Sequence, residues 1–208
     1  MLKKRGAGVL LHISSMPSDY GVGVFDENVI HFIDKIADMG FTYWQVLPFN
    51  PIDRANSPYC SPSAFAGNYI FINPKGLYDM GLICEEDYKS NIYDGTPYTA
   101  DYEFAGKKRL ELLKKAFLNI NDELARQIKE FEISNSWLTD YSVFMAVKEE
   151  ENMKPWWNGA TNTPTILNVS RIYILMKNQR LFGNLFNSFS TSNGMKSRLT
   201  QTKKVLLL

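Results

Sequence analysis

The sequence predicts an α/β fold built on a parallel sheet. Two short apolar runs carry that prediction, Ala7 to Ile13 (AGVLLHI) and Tyr43 to Leu47 (YWQVL), each followed by turn residues as buried strands are. Between them Val29, Phe32, Ile33, Ile36, Ala37 and Met39 recur at helical spacing. Strand, helix and strand within about 40 residues form a βαβ unit with a right-handed crossover. Such a unit suits an open doubly wound sheet or a barrel.

The first run leads into Ser14 to Gly23 (SSMPSDYGVG), a loop by its turn residues. Asp26 is placed to cap the helix, and Gly40 stands where a helix C-terminus favours glycine. Pro48 stops the second strand. Residues 50–68 then form a long loop rich in Pro, Ser, Asn and Gly, a length that is usually functional or disordered. Tyr69 to Ile72 (YIFI) reads as a short strand or a buried stretch. Beyond Gly81 the pattern turns helical. Leu110, Leu113 and Phe117 share one face, Leu124, Ile128 and Phe131 another, and Trp137, Tyr141, Phe144 and Lys148 continue the spacing. The expected domains are 1–74, the first βαβ unit with its loop, and 75–158, a helical insertion after the second strand.

The chain has 208 residues, enough for one ordinary core but short for a complete (β/α)₈ barrel of about 250. Hydrophobic residues are 45% and charged residues 22%, which marks a globular chain. A net charge of +1 provides no global field for nucleic acid or anionic lipid, so neither partner is expected. No run of 18 apolar residues is present, no membrane association is expected, and the default compartment is the cytoplasm. The two cysteines, Cys60 and Cys84, are too few for a disulfide framework, and no His or Cys partners stand at metal spacing. No metal is expected. The charge is uneven: residues 159–208 hold seven basic residues and no Asp or Glu.

The loop Ser57 to Asn68 (SPYCSPSAFAGN) holds the residues best suited to recognise a ligand. Tyr59 follows Pro58, which stiffens its approach. A rigid ring can cover the C–H face of a sugar while hydroxyls and an amide take its hydroxyl groups. The same composition also makes an ordinary packed loop. Trp44 and Gln45 read as core, and Trp156-Trp157 as a sugar platform or a buried pair. His12 and His31 are isolated and read as structural. Cys60 lacks a histidine to activate it. Glu149, Glu150 and Glu151 read as a solvated face. Gly21-Val22-Gly23 lacks the spacing of a nucleotide-binding turn. No pair of acids stands out as a couple for glycoside chemistry.

Several motifs join into one pattern. GVLLHISSMP (residues 8–17), YGVG (20–23), YWQVLP (43–48), SPY (57–59) and SAFAGN (63–68), with Asp140-Tyr141, Phe144-Met145 and Trp156-Trp157, resemble in order and spacing the opening of 4-α-glucanotransferases. These are the amylomaltases or disproportionating enzymes of glycoside hydrolase family 77, and the resemblance covers about residues 5–158. It implies the N-terminal portion of a TIM-type (β/α)₈ barrel, with a helical insertion after the second strand. It also implies retaining transfer of 1,4-α-glucan segments to glucose or another glucan, without a cofactor. Maltodextrin or another α-1,4-glucan is then the expected partner, and the oligomeric state is open. Retention requires two carboxyls about the scissile bond, one of them the nucleophile. In the family the tyrosine of Ser-Pro-Tyr lines the donor sugar site. That role carries to Tyr59, with Ser57 as a polar neighbour; Gly67 and Asn68 carry loop architecture first.

The departures matter as much. The family's catalytic carboxylates lie in later strands, so no catalytic residue maps onto this chain. Residues 24–28 depart from the family's usual Gly-Asp-Leu-Gly-like continuation. After Trp156-Trp157-Asn158 the family continues with another Trp, whereas this chain has Gly159. Restoring one nucleotide there lets Phe182 to Asn187 encode Trp-Lys-Phe-Val-Gln, and Lys204 to Leu208 encode Gly-Ile-Ile-Ile, which resemble the family's next helix and strand. Residues 159–208 are therefore expected to be an out-of-frame tail, poorly folded, which would also account for the missing acids. The expected object is an incomplete barrel and an inactive truncated fragment; the alternative is a non-catalytic glucan-binding fragment.

Overall fold

The structure, a computed structural model, describes residues 5–53, 55–151, 154–155 and 206–207. Trp156-Trp157 and nearly all of the expected out-of-frame segment, as well as the side chains of Glu149 and Glu150, lie outside the described residues.

The predicted βαβ unit is present. Strand β1 (Gly8–Leu10) and strand β2 (Tyr43–Gln45) run parallel, with Gly8 opposite Tyr43 and Leu10 opposite Gln45. Strand β3 (Leu206–Leu207) adds on the far side of β2, also parallel, giving the order β1-β2-β3. Both early strands are three residues long, shorter than their apolar runs. The chain leaves β1 because His12 caps a 3-10 turn at Ile13–Ser15, its Nδ1 accepting the Ser14 N–H. Helix α1 (Glu27–Asp38) links the strands. Asp26 caps it, its Oδ1 accepting the Asn28 N–H at 2.9 Å. Gly40 follows with a φ of +86°, a conformation that costs glycine least.

Val29, Ile33 and Ile36 bury one face of α1. They join Ile13, Met16, Val22, Trp44, Ile70, Phe71 and Ala105 in the core. Trp44 is 1% exposed; it stacks edge-on against Phe32 and donates its Nε1–H to the Leu11 carbonyl at 2.8 Å. Gln45 corrects its reading as core: it is exposed, because successive side chains on a strand face opposite ways. Tyr69–Phe71 is a 3-10 turn, with Ile70, Phe71 and Ile72 buried, so the YIFI segment is a buried stretch and not a strand.

Five helices follow: α2 (Pro74–Asp79), α3 (Glu85–Lys89), α4 (Tyr102–Leu118), α5 (Asp122–Ser134) and α6 (Trp137–Glu150). The compact unit that holds the sheet extends through α4 to Asn119; a second unit begins at Ile120. On α4 the buried positions are Ala105, Arg109, Leu112, Leu113, Ala116 and Phe117. Leu113 and Phe117 match the apolar face read from the sequence, while Leu110 is only half-buried. In the second unit Leu124 and Ile128 are buried on α5, and Leu138 and Tyr141 on α6. Among the described residues, no helix is long and apolar enough to cross a membrane.

Candidate functional site

The loop after β2 leaves the C-terminal end of a parallel strand, the end at which α/β sheets place their ligands. Its backbone is held by its own short side chains. Asp53 Oδ1 accepts the N–H groups of Ala55 (3.0 Å) and Ser57 (3.2 Å), while Asn56 takes a φ of +56°. Ser57 Oγ accepts the Tyr59 N–H at 3.3 Å. Ser61 Oγ donates to the Ser63 carbonyl, and Ser63 Oγ accepts the N–H groups of Phe65 and Ala66. These are local side-chain-to-backbone turns, which Ser and Asp favour outside regular elements.

Two cross-links close the base of the loop. Asn50 Nδ2 donates to the Ala66 carbonyl at 3.0 Å, and the Asn68 N–H donates to the Phe49 carbonyl at 2.8 Å. Asn68 is 2% exposed and its Oδ1 accepts the Ile70 N–H, capping the 3-10 turn. Loop architecture is thus what Asn68 carries, with its buried Nδ2 lacking a partner among the described residues.

The expected sugar-site residues therefore stand together on one braced turn. Tyr59 is 72% exposed, its ring free to meet a flat apolar face. Ser57 is half-buried beside it, with its Oγ accepting a backbone N–H and its hydroxyl proton still able to donate. Phe65 presents a second exposed ring from the same loop.

The other singled-out groups fall elsewhere. His12 is buried, its Nδ1 within 2.8 Å of Ser14 Oγ, stacked on Phe49 and edge-on to Phe71. Desolvation holds its pKa below the ordinary value, against an opposing pull from the Pro48 backbone. His31 is exposed on α1. Cys60 and Cys84 are free and exposed. Gly21, Val22 and Gly23 are buried, with no room at Gly23 for a side chain, so this turn is a packing element and not a phosphate cradle. Burial raises the Asp26 pKa, yet both its oxygens are engaged with Asn28 at the start of α1. Among the described residues, no group of three or more His, Cys, Asp or Glu side chains could hold a metal ion.

The composition of α4 conceals one residue that loop-centred reading misses. Arg109 is fully buried, and burial pulls its pKa down to about 9, with Tyr20 opposing. The guanidinium stays charged near neutral pH. Its sequence signal was an arginine at i+4 and i−3 from Ala105 and Leu112, inside an otherwise apolar stripe.

A family model described as 4-alpha-glucanotransferase matches residues 11–169. The 4-alpha-glucanotransferase of Aquifex aeolicus (strain VF5) is 43% identical over 157 residues, which are 74% of this chain and 31% of that protein. That of Clostridium butyricum is 36% identical over 151 residues, 71% of this chain and 31% of the relative. Among solved structures, the amylomaltase from Streptococcus agalactiae in complex with acarbose superposes with a TM-score of 0.83 at 28% identity. It covers 98% of this chain and 43% of its own. The chain spans about a third of the length of the curated relatives it matches. With a family model over more than half of its residues, the chain belongs to the 4-alpha-glucanotransferase family.

Proposed function

We propose that this chain is the sugar-handling front of a retaining 4-α-glucanotransferase, and that residues 57–68 are a glucan-binding loop. Tyr59 covers the C–H face of a glucose unit, and Ser57 takes one of its hydroxyls. The observation that carries this reading is a tyrosine ring 72% exposed on a turn braced at Asp53, Ser57 and Ser63. A ring held in place loses little freedom when it meets a ligand, so its contact contributes to affinity. The full activity is transfer of 1,4-α-glucan segments between acceptors in the cytoplasm. Its sheet is the opening of a TIM-type (β/α)₈ barrel, with residues 75–158 inserted after β2.

Retention at the sugar carbon requires a carboxylate nucleophile and a carboxyl acid/base. Residues 57–68 contain no acid, so this loop binds and orients and another part of the barrel does the chemistry. The chain matches about a third of its relatives' length, and the resemblance puts the family's carboxylates in later strands, so the 208-residue chain alone is inactive in this reading, and residues 159–208 are an out-of-frame continuation. Incubation of the purified chain with maltotriose tests the first point: no glucose and no longer maltodextrins are expected, and their formation would refute it. Saturation-transfer NMR with maltoheptaose tests the binding role. Signal transfer that disappears in Tyr59→Ala is expected; equal transfer in both proteins would remove the loop from the reading. Sequencing the gene from codon 150 onward tests the tail, since an uninterrupted frame in which the 159–208 codons match relatives would defeat it.

A further inference from the structure

Arg109 is a fully buried guanidinium with no carboxylate in an ion pair among the described residues. Such a group is expensive to keep, and an apolar side chain of similar length would fill the space at lower cost. What distinguishes the arginine is its set of acceptors. Nη2–H donates to the Tyr20 carbonyl at 3.1 Å, Nη1–H to Asn91 Oδ1 at 3.1 Å, and Nε–H to the Ile70 carbonyl at 3.4 Å. The guanidinium carbon lies 5.7 Å from the Tyr20 ring centroid, within cation–π range. One side chain on α4 thus joins the loop after β1, the segment after α3, and the 3-10 turn that ends the loop after β2.

The third connection bears on the sugar loop. Ile70 is also the residue whose N–H donates to Asn68 Oδ1, and Asn68 closes the loop on Phe49. Two turns earlier on α4, Tyr102 acts at the opposite side of the same base. Its hydroxyl donates to Ser14 Oγ at 2.9 Å; Ser14 holds His12, whose ring packs on Phe49 and Phe71. Phe49 precedes the loop and Phe71 follows it. Both ends are therefore referenced to one rigid helix.

We propose that Arg109 is a positioning residue for the glucan-binding loop: by holding Ile70 against α4 it fixes the Asn68 end of the loop and so the orientation of the Tyr59 ring. The proposal rests on the reading of residues 57–68 as a glucan site, but loop order can be measured without any sugar. Arg109 touches no ligand; it acts through Ile70 and Asn68.

The test uses the full 208-residue chain with Cys84→Ser and a nitroxide on the exposed Cys60, next to Tyr59 in the loop. Arg109→Met retains length and apolar volume but removes the donors. The expected result is a sharper, more mobile nitroxide spectrum in the folded protein, with a melting temperature below that of the parent because buried acceptors lose their donor. Maltoheptaose affinity should fall roughly three- to tenfold, the loss expected when one side chain is no longer pre-ordered. A purely structural arginine would lower the melting temperature in the same way but leave the label's mobility in the folded protein unchanged, which would overturn the proposal. Arg109→Lys, charged but unable to reach three acceptors, should fall between parent and Arg109→Met. If Arg109→Met does not fold, Tyr102→Phe serves as the second variant: increased label mobility supports the α4 anchorage, and unchanged mobility overturns it. Increased mobility in a chain whose parent binds no maltoheptaose would sustain the positioning role and sink only the glucan reading.

Discussion

The loops that follow β1 and β2 look alike as text and differ completely in the folded chain. SSMPSDYGVG and SPYCSPSAFAGN are both rich in Ser, both contain Gly and proline, and both carry a tyrosine. In the first, Ser14, Met16, Ser18, Tyr20 and Val22 are all buried. Its backbone is spent on distant segments: the Ser18 N–H donates to the Pro97 carbonyl, and the carbonyls of Asp19 and Gly21 accept from Tyr93 and Asp101. In the second, the backbone is braced mostly by side chains within the loop, and Tyr59 and Phe65 stand exposed. Tyr20 is 8% exposed and Tyr59 72%. A tyrosine in a turn-rich segment is therefore architecture when later chain covers it, and a candidate ligand platform when the loop supports itself.

Four changes would sharpen or break that contrast. The largest effect is expected at Gly23→Ala. A Cβ there would lie 1.8 Å from the Ile13 carbonyl oxygen, and backbone cannot yield by that much. Circular dichroism of the variant should show loss of the native fold; a native-like spectrum would mean the first loop is looser than described. Tyr20→Ala comes next. It removes a buried ring and uncovers the Arg109 guanidinium, and should destabilise by about 3 kcal/mol or more in urea unfolding.

The third concerns pH. The folded-state pKa of His12 lies below its reference value of 6.5, mainly through desolvation. Between those two values the unfolded chain binds the additional proton. Stability should therefore be full above about pH 6.5 and fall as the pH drops toward the lowered folded value. His12→Phe, which retains a ring between Phe49 and Phe71, should flatten the dependence of the urea midpoint on pH in that window. An unchanged slope would place the effect elsewhere. The smallest stability effect belongs to Tyr59→Ala: no more than about 0.5 kcal/mol, as for exposed positions generally. A large loss of stability there would show that the ring packs rather than waits for a ligand.

Much of the βαβ unit was legible because its signals are local. The Asp26 cap, the apolar face of α1 and Gly40 each depend on a few neighbouring residues, and each occurs where the pattern places it. Strand ends were less so: soon after Leu10 the His12 ring accepts the Ser14 N–H and starts a 3-10 turn, a side-chain event that an apolar run does not reveal. The site was legible as composition in Ser57 and Tyr59, and the resemblance to a family supplied its meaning. Its support was not. That Arg109 holds Ile70 and Tyr20 depends on a helix reaching across 39 and 89 positions of sequence. The visible trace was one cation inside the stripe Ala105, Leu112, Leu113 and Ala116.

The sheet also sets an order of events during synthesis. Gly8 and Tyr43 are brought together by one short crossover, whereas Tyr43 meets Leu206 across 163 positions. Closing so long a separation costs more chain entropy, and contacts of that kind form late. A ribosome will have released β1, α1 and β2, along with the segments that brace the tyrosine-bearing turn, well before β3 emerges. During that interval the outer edge of β2 is an unsatisfied ribbon of peptide groups, the feature that invites pairing with a neighbouring nascent chain.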